Sequence, residues 1–108
     1  MIRVIIFLGI LFSPFIVNAS NKSLSNDLAL EAIEISEKDL ESAIFLVQQS
    51  VVADPKNAKA WATAGKIYLL NEDILSAERF YKKAKALGPL LKDVKDLESL
   101  INNKKKEE

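Results

Sequence analysis

The feature that most constrains the fold of this chain is a repeat with a period of 34 residues. Residues 38–43 and 72–77 share one pattern, and four identical pairs lie 34 positions apart. These pairs are Asp39 with Asp73, Ser42 with Ser76, Ala43 with Ala77, and Pro55 with Pro89. Such a period is typical of stacked helical hairpins, because each hairpin buries its apolar face only against its neighbours. The repeat therefore predicts an all-α fold.

Turn and capping residues divide the chain into five predicted helices. Only three glycines and three prolines occur in 108 residues, which favours helices over a turn-rich β fold. Asp39, Asn57 and Asp73 each precede an apolar run and can cap the first turn of a helix. We expect Gly88 to adopt a left-handed conformation after the fourth helix and Pro89 to begin the fifth. The predicted helices span 26–37, 40–53, 58–70, 74–87 and 90–102.

The first nineteen residues have the composition of a secretory signal peptide. Arg3 supplies a positive start, residues 4–17 carry no charge, and Ala19 ends a Val-Asn-Ala sequence suited to signal peptidase. An uncleaved membrane anchor is the alternative, although a spanning helix needs about 20 apolar residues and Pro14 interrupts this run. Both interpretations place the rest of the chain outside the cytoplasm, in a bacterial periplasm or cell envelope. Residues 20–25 are predicted to be a polar linker.

The residue inventory excludes several kinds of chemistry. The chain has no cysteine and no histidine, which rules out disulfides, thiolate nucleophiles, imidazole bases and Cys/His metal sites. The three glycines are isolated, so no phosphate-binding loop is present. With 15 basic and 15 acidic residues the net charge is zero, which gives no support for nucleic-acid binding. The sequence therefore predicts a protein that is not an enzyme and binds no cofactor.

Residues 58–91 resemble a tetratricopeptide repeat, a helical hairpin of 34 residues. They carry the W-x2-[LA]-G-x2-Y spacing in the first helix, A-x3-[FY]-x2-A in the second, and a closing proline. The matching residues are Trp61, Ala64, Gly65, Tyr68, Ala77, Tyr81, Ala84 and Pro89. The resemblance implies that Gly65 and Ala77 are small so that the two antiparallel helices can approach closely.

Residues 24–57 resemble a degenerate copy of the same repeat. Ala43 and the closing proline match, whereas acidic residues occupy the first-helix positions for the aromatic and the glycine. The fifth helix, 90–102, would be the polar-faced capping helix that such arrays need. The resemblance thus implies antiparallel helical hairpins of a right-handed superhelix over 26–103, with about two repeats and a C-terminal capping helix. Residues 104–108 are predicted to be a charged tail.

The resemblance also implies a protein interaction module, whose concave surface is lined by the first helix of each hairpin. Carried over by position, the groove residues are Leu28, Ala32, Ile35, Lys59, Ala62, Lys66 and Leu69. We expect such an apolar groove to bind an amphipathic helix or an extended peptide of a partner protein. In that case Leu69→Glu would spare folding and weaken binding. Two alternatives stay open: the apolar residues cover one another, or the chain self-associates as a structural or accessory subunit of an envelope complex.

Overall fold

A computed structural model describes residues 20–107 of the chain. These residues form five α-helices and no strand, which confirms the predicted all-α class. The helices are α1 (Lys22–Ile35), α2 (Leu40–Ala53), α3 (Ala58–Leu70), α4 (Ile74–Leu87) and α5 (Lys92–Glu107). The predicted signal peptide, residues 1–19, lies outside the described residues. No helix within the described range is long and apolar enough to cross a membrane.

The bounds of α2, α3 and α4 agree with the prediction, because their capping side chains act as expected. Asp39 Oδ1 accepts a hydrogen bond from Ser42 N at 3.1 Å, and Asp73 Oδ1 accepts one from Ser76 N at 3.1 Å. Asn57 Oδ1 accepts from the backbone N–H two residues later at 3.2 Å. These bonds satisfy N–H groups that a helix leaves without partners. Two hydrogen bonds to its carboxylate lower the pKa of Asp39. The larger effect comes from the hydroxyl of Ser42, and the smaller comes from the backbone N–H of the same residue.

The first helix begins earlier than predicted. α1 starts at Lys22, inside the predicted linker 20–25, so that linker is wrong and the helical domain begins before residue 26. Asn21 caps the helix, and its side chain accepts a backbone N–H of the first turn at 2.9 Å. Ser25 is polar, as a linker residue would be, but it is fully buried. Its hydroxyl can be buried because it donates a hydrogen bond to Ser50 of α2.

A buried polar network joins α1, α2 and the start of α3. Ser25 Oγ donates to the carbonyl oxygen of Ser50 at 2.7 Å, and Ser50 Oγ donates to the carbonyl oxygen of Ser25 at 2.6 Å. Asn57 Nδ2 donates to Ser25 Oγ at 3.1 Å and to Asn26 Oδ1 at 2.8 Å. Every member has a partner, so the network fixes the positions of three helices without a desolvation penalty from an unpaired group.

Replacing Asn57 by alanine is expected to lower the free energy of unfolding by about 1–2 kcal/mol, because the side chain caps α3 and also donates to α1. Urea unfolding of the full chain, followed by circular dichroism, measures this change. Asn57→Ser keeps a capping oxygen and removes the amide donor without burying a charge, so its loss should be smaller. An alanine variant as stable as the original chain would contradict the role of this network.

The start of α5 differs from the prediction. Gly88 has a φ of −152°, so it does not adopt the left-handed conformation that we expected. Pro89 and Leu90 form a turn instead of the first helical residues, and the helix begins at Lys92. The turn lets Leu91 accept the first backbone bonds of α5, from Val94 N at 3.1 Å.

The charged tail predicted at 104–108 is also wrong over its described part, because α5 continues to Glu107. Lys104 Nζ lies 2.9 Å from Glu72 Oε2, in the turn between α3 and α4. The side chain of the next residue, Lys105, forms an ion pair with Glu78 of α4. These contacts across the fold hold residues that would fray as an isolated peptide end.

Each described helix packs only against helices one or two places away in the chain. The first buried cluster, which joins α1, α2 and α3, contains Ala32, Ala43, Val47, Ala64 and Ile67. The second cluster, which joins α3, α4 and α5, contains Ala62, Leu69, Ala77, Ala84, Val94, Leu97 and Ile101. α3 is thus the one helix that supplies buried residues to both of these clusters.

Candidate functional site

The aromatic residues of the repeat-like segment pack around the ring of Phe80. The ring centroids of Trp61 and Tyr68 lie 5.7 and 4.8 Å from that of Phe80. Trp61 Nε1 donates to the carbonyl oxygen of Pro55 at 2.7 Å, and the hydroxyl of Tyr68 accepts from Gln48 Nε2 at 2.7 Å. The polar atoms of both residues are therefore engaged within the chain, and their rings serve packing between helices.

The small residues of the segment lie where helices come closest. Ala64, Ala77 and Ala84 are almost fully buried, and Gly65 is buried beside them. A Cβ atom at Gly65 would overlap Cδ2 of Leu97 in α5, whereas it would lie 3.4 Å from the carbonyl oxygen of Ala77 in α4. The tightest approach at Gly65 is therefore with α5. We had expected it between the two helices of the hairpin.

Tyr81 links α4 to α5. Its hydroxyl donates to Glu98 Oε2 at 2.6 Å, and this bond, partial burial and the nearby negative charge together raise the pKa of Tyr81 to about 12. The phenol is therefore a neutral hydrogen-bond donor at all ordinary pH values. Pro89, the last of the repeat-like positions, is exposed in the turn that precedes α5.

The predicted groove residues do not form one open surface. Ala32 and Ala62 are fully buried, and Leu69 is only 8% exposed. Ala62 and Leu69 belong to the second cluster, beneath α5. The expectation that Leu69→Glu would spare folding is therefore wrong, because the new carboxylate would replace an apolar side chain in that cluster.

The other groove candidates are spread over separate parts of the surface. Leu28 and Ile35 are half-buried, and Leu28 borders a small cavity between α1 and α2. Lys59 lies near the start of α3, in a cavity of about 610 Å³ with two other lysines. Lys66 Nζ lies 3.6 Å from Asp93 Oδ1 of α5, so it forms an ion pair within the chain.

An open trough of about 650 Å³ lies where the C-terminal parts of α1, α3 and α5 meet. Its exposed apolar side chains are Ile33, Leu70 and Leu100, one from each helix, and we call this surface the trough. Lys66 and Leu69 border it, but the three exposed residues were missed from the sequence. Leu70 follows the buried Leu69, and Leu100 precedes the buried Ile101, so periodicity alone does not single them out.

The charges around the trough are paired with one another. Lys66 Nζ lies 3.6 Å from Asp93 Oδ1, and Lys104 Nζ lies 2.9 Å from Glu72 Oε2 and 3.9 Å from Glu107 Oε1. Because the lysines already have carboxylate partners, the trough offers mainly apolar contact. Its chemistry suits the apolar side of a peptide better than a terminal carboxylate.

Within residues 20–107, no group of three or more His, Cys, Asp or Glu side chains could hold a metal ion. No known family model, curated protein or solved structure matches the chain.

Proposed function

We propose that this chain is a non-enzymatic adaptor of the tetratricopeptide type, which binds a helix or an extended segment of a partner protein. Two features support the repeat assignment. The eight residues of the repeat pattern lie in 58–91, and the five helices of residues 20–107 pack only on near neighbours along the chain, as in stacked hairpins. The right-handed superhelix of about two repeats with α5 as its cap belongs to this proposal.

The observation that carries the binding role is the trough. It brings Ile33, Leu70 and Leu100 from three different helices into one concave, solvent-exposed surface of about 650 Å³. Burying these side chains against a ligand would release water from apolar surface, at about 25 cal/mol per Å². An amphipathic helix, which presents apolar residues at i, i+3 and i+4, has the shape and chemistry for such a surface.

Leu70→Glu is expected to reduce partner binding about tenfold or more, because it places a carboxylate in the centre of the apolar lining. Leu70 is 58% exposed, so the substitution should leave the fold intact. The measurement is affinity capture of the partner from native envelope extract by the tagged full chain, followed by titration of the recovered partner.

Leu75→Glu is the matched control, since Leu75 is 76% exposed on α4 and does not border the trough. A partner lost by Leu70→Glu and retained by Leu75→Glu supports the adaptor. A partner retained equally by both variants removes the trough from the proposal. Recovery of only the chain's own copies favours the alternative, a self-associating subunit.

We also propose that the chain is exported to the periplasm or cell envelope, on the basis of the charge and hydropathy pattern of residues 1–19. Mass measurement of the protein from its native host tests this proposal. A mature form that begins at Ser20 is expected, whereas an intact N-terminus would favour the membrane-anchor alternative.

A further inference from the structure

A second apolar surface lies on the outer side of the first hairpin, away from the trough. Leu24 and Leu28 of α1 border a cavity of about 360 Å³ together with Val52 of α2. Phe45 lies seven residues before Val52, and hence on the same side of α2. Phe45 is 57% exposed and Val52 is 75% exposed. We call these four residues the N-terminal face.

The two ends of the helical stack differ in whether their apolar side chains are covered by another helix. At the C-terminal end, α5 buries Val94, Leu97 and Ile101 against α3 and α4, and its outer side is polar. At the N-terminal end, the described residues contain no corresponding helix, and apolar side chains of α1 and α2 meet solvent. The end faces of stacked hairpins are usually polar, which keeps the protein soluble. The N-terminal face is instead apolar.

Four exposed carboxylates lie on the same two helices as this face, and we call them the acidic rim. Asp27, Glu31 and Glu34 extend from α1 and Glu41 from α2. Residues 22–53 contain six carboxylates and two lysines. Among the described residues, ion pairs occur only between positions 66 and 107, so none of these four carboxylates forms an ion pair there.

We propose that the N-terminal face docks an amphipathic helix of a partner protein, whose apolar stripe is flanked by lysine or arginine. The apolar stripe would cover Leu24, Phe45 and Val52, and the flanking cations would pair with the acidic rim. A second copy bound face to face would instead bring two acidic rims together, which costs electrostatic energy. This surface is separate from the trough, so the chain could hold two segments at once.

Two designed peptides test the proposal. Both place leucine at i, i+3, i+4 and i+7, and the other positions are lysine in one peptide and glutamate in its counterpart. Fluorescence anisotropy with the full chain is expected to show at least tenfold tighter binding of the lysine peptide. The double variant Phe45→Ser/Val52→Ser should weaken that binding about tenfold or more. The matched variant Leu75→Ser, on α4 and outside both surfaces, should leave it unchanged.

Charge reversal tests whether the carboxylates of the acidic rim set the preference for the lysine peptide, since the chain as a whole carries no net charge. Glu31→Lys/Glu41→Lys leaves two lysines and two carboxylates among these four positions, so it is expected to remove the preference for the lysine peptide. Nuclear magnetic resonance shifts on peptide binding should centre on Leu24 and Val52.

Four results would overturn the proposal. One is binding that survives Phe45→Ser/Val52→Ser, which would place the peptide elsewhere, such as in the trough. Another is binding that is lost on Leu75→Ser, which would show that the peptide does not select the N-terminal face. A dimer in sedimentation that the Phe45→Ser/Val52→Ser variant abolishes would assign the face to a second copy. Contacts from residues 4–17 of the same molecule to Val52 would assign it to the chain's own N-terminal segment.

Discussion

Leu97→Ala is expected to lower the free energy of unfolding by about 2–5 kcal/mol, because it removes a large side chain from a fully buried position. Leu97 packs in the second cluster, where α5 closes against α3 and α4. The alanine variant would leave a cavity beside Gly65, which has no side chain to fill it. Chemical denaturation of the full chain, followed by circular dichroism, measures the loss.

Leu100→Ala is the control for this prediction. Leu100 lies on the same helix but is largely exposed in the trough, so its truncation should change stability by no more than about 0.5 kcal/mol. If the two alanine variants were equally stable, α5 would not be docked on α3 and α4 in solution.

Gly65→Leu is expected to destabilise the chain by about 1–3 kcal/mol through overpacking. Its Cβ alone would overlap Cδ2 of Leu97 and lie 3.3 Å from Cδ1, and the rest of the side chain would need to displace α5. Thermal and denaturant unfolding of the full chain measure the effect. Unchanged stability would contradict the close contact between α3 and α5.

Two further variants show whether the clash is the cause. Gly65→Ala should cost less, since the end of Leu97 can shift slightly and alanine favours the helix by about 1 kcal/mol over glycine. In the double variant Gly65→Leu/Leu97→Ala, the new leucine can occupy the volume that Leu97 leaves. The combined loss should therefore fall short of the sum of the single losses by about 0.5–3 kcal/mol.

Helix bounds were predictable where the signals are local. α2, α3 and α4 begin after Asp39, Asn57 and Asp73, and a capping side chain reaches no further than the first turn of its own helix. The start of α1 was missed because Ser25 acquires its buried role only from Ser50, 25 residues away. Likewise, the end of α5 depends on Lys104, which pairs with Glu72 across the fold.

The surface was harder to predict than the helices. Counting positions identifies which residues share a side of a helix, but it does not show which side another helix covers. α5 packs over Ala62 and Leu69, so those residues are part of the core. Leu70, at the end of α3, and Leu100, in the middle of α5, are exposed instead. The N-terminal face is exposed because none of the described helices covers it. That arrangement cannot be predicted from any single segment of the sequence.

The central place of α3 has a consequence for how this sequence can change. Seven of its thirteen residues are buried, and they face helices on both sides. A substitution that enlarges Ala62 meets a neighbour on one side, and one at Ala64, or at Ala60 four residues before it, meets a neighbour on the other. The two outer helices α1 and α5 each keep an exposed side on which substitutions should cost little stability. Mutational tolerance should therefore be lowest along α3 and rise toward both ends of the stack.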